Sequence, residues 1–198
     1  MPRPVDHSQR KREIVHALWN LVSVHGLESA SMRNVAVAAH ISTGQLQHYF
    51  KTRDDLLEYA IALLSEQAQK RIETKLAALP AGPSPESVLR ECLYDVLGLD
   101  AESQLTILVH IAFFAHILTN PRVSKVIHQE NKTLYTFTAD LIRSAQAAEA
   151  SPAELDADTE AYTLWSLAVN LGMDLAIGEV TAAEAVTRLD YCLRKVFP

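Results

Sequence analysis

The sequence predicts an all-α protein: a small module of three short helices, then a larger one of six longer helices. Three observations predict it. Only six glycines stand among 198 residues, 48% of them hydrophobic, and the wealth of Ala and Leu favours helix over sheet. No stretch alternates for long between apolar and polar residues, as a half-buried strand requires. Capping residues followed by apolar positions at helical spacing recur along the whole chain.

The first helix is expected from about Gln9 to His25, with Ile14, Leu18, Leu21 and Val22 on one face and Gly26 as its C-cap. Ser31 caps a second, about Met32 to Ala39, whose Met32, Val35, Ala36 and Ala39 form a buried face. The turn His40-Ile41-Ser42 leads into a third, Thr43 to Phe50, completing a helix-turn-helix outline. Thr52 and Asp55 form a capping box that opens a long helix to Leu79, broken by PAGPSP. Ser84-Pro85 opens the fifth, to about Gly98. The sixth runs from Glu102 to Thr119, and Asn120-Pro121 begins the seventh, to about Ala150. Ser151 with Glu154, and Thr181 with Glu184, form capping boxes that head the last two helices, to about Ile177 and Val196. The module boundary is expected between residues 51 and 52, giving a head of residues 1–51 and a second domain of residues 52–198.

The net charge of −6 argues by itself against a nucleic-acid partner, but its distribution does not. Residues 1–51 hold six cations (Arg3, Arg10, Lys11, Arg12, Arg33, Lys51) and three acids (Asp6, Glu13, Glu28), a net +3 that leaves −9 on the remainder. Five of the eight histidines also fall in this first part. A small basic module is joined to a larger acidic one, and only the small one suits a polyanion. The two cysteines, Cys92 and Cys192, are too few for a disulfide framework and read as buried small hydrophobes. The N-terminus has no apolar stretch of signal-peptide length, and the longest apolar run, Leu105 to Leu118, is shorter than the ~20 residues that span a bilayer. A cytoplasmic protein with no membrane partner is expected.

In the third helix, Leu46 and Phe50 are four apart and share the face that packs on the first two helices. Thr43, Gln45, Gln47 and His48 then point outward. Glutamine can bond adenine in bidentate fashion, and His and Thr can meet base edges or phosphates. From Arg12 to Leu57 the chain resembles the DNA-binding domain of the tetracycline-repressor (TetR) family. The residues that carry the likeness are His25-Gly-Leu27, Ser31-Met-Arg-Asn-Val-Ala36, Ala39 through Phe50 and Lys51-Thr-Arg-Asp-Asp-Leu-Leu57. The resemblance implies that the third helix enters the major groove and that Thr43, Gln45, Gln47 and His48 contact bases. It assigns phosphate contacts to Ser31, Arg33, Tyr49, Lys51 and Arg53. The family usually has glycine where this chain has His40; a left-handed His there costs roughly 1 kcal/mol relative to Gly.

The resemblance also implies that the remaining helices bind a small-molecule effector and form a homodimer on a palindromic operator. Residues 105–118, LTILVHIAFFAHIL, are apolar all round and predict a central helix. His110, Phe113 and Phe114 on it, with Tyr94, Leu97, Tyr135, Trp165, Asn170 and Met173 on neighbouring helices, have the sizes and polar tips of a pocket for an apolar or aromatic ligand. For the dimer, Ala168, Gly172 and Ala176 recur every four residues, and Val186, Leu189 and Leu193 give the final helix an apolar stripe. The close approach at Gly172 serves either a partner subunit or a neighbouring helix of the same chain. Asn170-Leu-Gly-Met-Asp-Leu-Ala176 and Thr181-Ala-Ala-Glu-Ala185 are similar to the C-terminal end of TetR members grouped with the choline-responsive repressor.

Two other classes remain as alternatives. A helical-bundle enzyme would need two Glu-x-x-His motifs, and Glu13-Ile-Val-His16 stands alone. His110 and His116 lie on different sides of a helix, and no phosphate loop, nucleophile elbow or Cys-x-x-Cys is present, so no catalytic residue, metal or cofactor is expected. The second alternative is a helical interaction protein that has lost operator binding; the intact polar face from Thr43 to His48 speaks against it.

Overall fold

Short polar side chains cap most of the helices. In the computed structural model, which describes residues 7–198, α1 (His7–His25) buries Ile14, Val15, Leu18, Trp19 and Val22 and stops at Gly26, whose φ of 72° no L-residue adopts readily. Arg3 and Asp6, counted above in the charge of the head, lie outside the described residues. A 3-10 turn, Leu27–Ser29, leads to Ser31, whose hydroxyl accepts from Asn34 N at 3.2 Å and starts α2 (Met32–Ala38). Ser42 and Gln45 close a reciprocal capping box at α3 (Thr43–Tyr49). Thr52 and Asp55 do the same ahead of α4 (Arg53–Ala77), each accepting from the other's backbone N–H at 3.0 Å.

Ser84, Asn120 and Thr181 cap α5 (Pro85–Leu97), α7 (Pro121–Ala147) and α9 (Ala182–Val196) as their sequence signals predict. At α6 (Ala101–Thr119), Asp100 accepts from Glu102 N and Ser103 N. The exception is α8 (Ala157–Ile177), which starts at Asp156 and not at the Ser151 box. Asp156 accepts from Thr159 N at 2.7 Å, while the Gln146 side chain donates to Pro152 O and Leu155 O and holds residues 152–155 as a loop.

The chain divides into two units. One comprises residues through Gln67 together with Leu108–Thr119; the other comprises Ala68–Ile107 and Asn120–Pro198. The first is built on Leu18, Trp19, Val35, Leu46 and Phe50 of α1 to α3, with Leu56, Leu57, Ala60, Ile61 and Leu64 of α4, all buried. The division therefore falls inside α4, whereas residue 51, the expected boundary, marks the turn before it.

The second unit packs α5, α7, α8 and α9 around Leu89, Leu93, Leu97, Ile142, Leu164, Trp165, Leu189 and Leu193. The residues expected at the dimer interface are largely occupied within one chain. Ala168, Leu189 and Leu193 are wholly buried within one chain, Gly172 is buried, and Ala176 and Val186 are half-buried. A Cβ on Gly172 would lie 2.6 Å from Val96 O on α5, so its close approach is to the same chain. What α8 leaves exposed is a different stripe: Tyr162, Val169, Met173 and Ile177.

Also in this unit, Asp95 is buried. It accepts two bonds from Arg71, at 3.3 and 3.0 Å, and one from Lys75 at 2.9 Å. Burial alone would lower the Lys75 pKa; Asp95 and Asp100 more than reverse it and hold it above the ordinary value. Arg71 also donates to Thr106 Oγ1, so the cluster joins α4, α5 and the start of α6.

The central position expected for α6 is only partly met. Val109 and Phe113 are buried, yet Phe114 is 61% and Leu118 68% exposed. With 19 residues, α6 extends beyond the apolar run read from the sequence and is, among the described residues, the helix long and apolar enough to cross a membrane. Its apolar circumference exceeds what the rest of the chain covers.

Candidate nucleic-acid interface

The third helix is anchored by Leu46, fully buried, and Phe50, buried at its C-cap, and by the turn before it. In that turn His40 takes φ 53°, and Ile41 N donates to Ala36 O at 2.9 Å. With one face fixed, Thr43, Gln45, Gln47 and His48 are all exposed on the other, and Lys51 is exposed just beyond. Around the helix, Thr43 and Gln47 lie close together, with His48 and then Gln45 progressively further round the exposed side.

Their side chains are not equally unoccupied. Gln45 Oε1 accepts from Ser42 N at 3.0 Å, so its carboxamide oxygen already serves the capping box. The Arg53 guanidinium donates to Ala30 O at 2.8 Å and Leu27 O at 3.1 Å, tying the start of α4 to the approach of α2. Ser31 and Arg33 are exposed at the start of α2, and Tyr49 is half-buried.

Two residues escaped sequence reasoning. His7 brings its ring to 5.8 Å from His48 and 5.5 Å from Tyr49, and Lys11 Nζ lies 5.4 Å from the Phe50 ring centroid and 5.3 Å from that of Tyr59. Their i, i+4 spacing on α1 was the available signal.

The expected effector residues have the following places. Tyr94 donates to Asp190 at 2.8 Å; burial first, then this bond, pushes the phenol pKa up to about 12, so it stays neutral. The buried Trp165 indole donates to Thr138 Oγ1 at 2.7 Å, and Leu97 is wholly buried. Tyr135 meets Tyr162 edge-on at 5.6 Å. Asn170 is exposed and donates to Asp174, and Met173 is exposed. On α6, His110 is half-buried, Phe113 buried and Phe114 exposed. Elsewhere, a surface groove is lined by Glu13, His16, Ala17, Asn20, Leu21, Val24, His25 and Ala38, none of them an expected effector residue.

Among the described residues no three His, Cys, Asp or Glu side chains gather as metal ligands. Glu13 pairs with Arg10, and His16 Nε2 is 3.2 Å from Gln67 Nε2. Cys92 is buried, and that burial, with the charge of Asp95, pushes its thiol up to about 11, which makes it a packing residue and not a nucleophile.

A three-helix head with an exposed polar recognition helix, followed by a helical second domain, defines a DNA-binding regulator of transcription. Residues 14–60 match the family described as bacterial regulatory proteins, tetR family, and residues 85–198 match the C-terminal domain of BetI-type transcriptional repressors. The chain belongs to the TetR family and carries a C-terminal domain of the BetI type. It is 29% identical over 180 residues to the HTH-type transcriptional regulator PksA of Bacillus subtilis, covering 91% of this chain and 85% of that one. It is 24% identical over 189 residues to the HTH-type transcriptional regulator BetI of Escherichia coli, covering 95% of each. A solved structure of a transcriptional regulator from Saccharomonospora viridis in complex with choline superposes with a TM-score of 0.81 at 19% identity, covering 96% of this chain and 99% of that one. These relatives are regulators, not enzymes.

Proposed function

We propose that the protein is a ligand-responsive repressor that occupies a palindromic operator as a homodimer and is released from it by a small molecule. The observation that carries this reading is the exposed row Thr43, Gln47 and His48 on a helix locked from behind by Leu46 and Phe50. Gln47 makes the bidentate adenine contact, since the Gln45 oxygen already accepts from Ser42 N in the capping box. Lys51, Arg33, Ser31 and Tyr49 meet phosphates. Arg53 supports them mainly by fixing the α2 approach. In the dimer, two copies of α3 enter successive major grooves roughly 34–36 Å apart.

The subunits join through the exposed apolar stripe of α8, to which Met173 belongs, together with Tyr191 of α9. The effector enters the helical domain near Tyr94, Tyr135 and Trp165. Tyr94 and Trp165 have their polar tips bonded within the protein, so a ligand must exchange those bonds for its own. Aromatic walls suit an apolar or aromatic molecule, and also a quaternary ammonium such as the choline held by the Saccharomonospora relative. Effector and operator then oppose each other with a reciprocal coupling of typically 1–3 kcal/mol. A regulator of this kind works in the cytoplasm.

The test uses a duplex selected by the native protein from a randomised library and titrates native, Gln47→Ala and Lys51→Ala proteins against it and its point variants at several salt concentrations. Gln47→Ala is expected to cost roughly 1–3 kcal/mol and to blur preference at particular positions. Lys51→Ala should weaken all duplexes alike and reduce the salt slope by about one for each phosphate it leaves unneutralised. The reverse pattern would sink the assignment of roles, and failure to select any duplex would sink the operator reading altogether.

A further inference from the structure

We propose that His7, on α1, is a positioning residue for DNA reading: its ring fixes the His48 imidazole in the orientation in which α3 meets a base. The inference rests on the reading of His48 as a DNA contact. The three rings of His7, His48 and Tyr49 form a closed cluster in which each touches the other two. His7 lies 5.8 Å from His48 and 5.5 Å from Tyr49, tilted by about 50° in both cases, and His48 meets Tyr49 edge-on at 5.6 Å. These separations fall within the range of favourable aromatic pairs.

The need for such a device follows from the chemistry of His48. An exposed imidazole turns easily about its terminal torsion, and ordering it on DNA consumes part of the binding free energy. Tyr49 is its chain neighbour and meets it edge-on. His7 arrives from a different helix and adds a second ring beside it. That helix face is itself held: one turn along α1, Lys11 lies over the rings of Phe50 and Tyr59 at the junction of α3 and α4. His7 therefore belongs to a docked face, and the direction of His48 is set by tertiary structure as well as by α3.

The experiment compares native, His7→Ala, His7→Phe, His48→Ala and the His7→Ala/His48→Ala double variant on the duplex selected by the native protein and on all single-base changes of one half-site. His48→Ala should flatten preference at one base position. His7→Ala should lower affinity roughly three- to tenfold and flatten the same position. In the His48→Ala background, removing His7 should change preference no further. His7→Phe keeps a ring without hydrogen-bonding groups and should restore the preference.

A uniform loss across all positions, a loss that His7→Phe does not restore, or full additivity in the double variant overturns the positioning role. If His48→Ala reads every duplex as the native protein does, the contact assigned to His48 fails first and the inference falls with it. Because His7 is exposed, all variants should melt with the native protein, which separates these outcomes from misfolding.

Discussion

At His40 the chain takes φ 53° in the turn between α2 and α3, a conformation that costs a residue with a Cβ roughly 1–2 kcal/mol. Histidine is one of the few non-glycine residues enriched there. His40→Gly should therefore match or exceed the native stability by up to about 1 kcal/mol, part of the relief being offset by the greater freedom of glycine in the unfolded chain. His40→Val should lose roughly 1–3 kcal/mol, since a β-branched residue tolerates this region worst. Urea denaturation of the three proteins ranks them, and a Val variant as stable as the Gly variant would contradict the strain. At this scale the sequence allows only half of a side chain's duty to be read. The spacing of Leu46 and Phe50 is enough to predict that Thr43, Gln45, Gln47 and His48 face outward, as they do. It cannot reveal that Arg53 spends its guanidinium on Ala30 and Leu27, because those carbonyls reach it only once α2 and α4 are assembled.

Among the elements, helix starts were legible wherever one capping signal stood alone, as at Ser31, Thr52, Ser84 and Thr181. Around α8 two signals compete. Ser151-x-x-Glu154 fits the capping-box pattern, yet Asp156 wins because Gln146 on α7 stabilises the intervening loop through two carbonyls, a long-range contact with no local trace. The same limit applies to Gly172. Its presence inside a helix shows that something approaches closely, but not which helix. The partner is α5, and Gly172→Ala should cost about 1–3 kcal/mol through overpacking, only partly offset by about 1 kcal/mol of gained helix propensity, because the atom in the way is backbone oxygen. Calorimetry together with sedimentation checks this. Reduced stability with an unchanged association state is the expected outcome, and dissociation of an otherwise equally stable protein would instead place Gly172 against a second subunit.

For the whole molecule, association depends on the surface a single chain leaves uncovered. On α8 that is Tyr162, Val169, Met173 and Ile177, of which Ile177 is 69% exposed and unneeded by the chain's own core. Ile177→Glu should thus yield a folded monomer at micromolar concentration, with native helicity and much weaker operator binding, since one reading helix holds half a palindrome. Sedimentation equilibrium is the measurement, and an intact dimer would move the interface off this stripe. The partition inside α4 bears on anyone wishing to build chimeric regulators by exchanging reading heads among relatives. A splice at residue 51 would leave Leu56, Leu57, Ala60, Ile61 and Leu64 with the recipient, although they belong to the donor's core. Even a junction after Gln67 transfers an incomplete piece, because Leu108–Thr119 groups with the head as well. The transplantable part is discontinuous in sequence, and a functional graft should carry both segments.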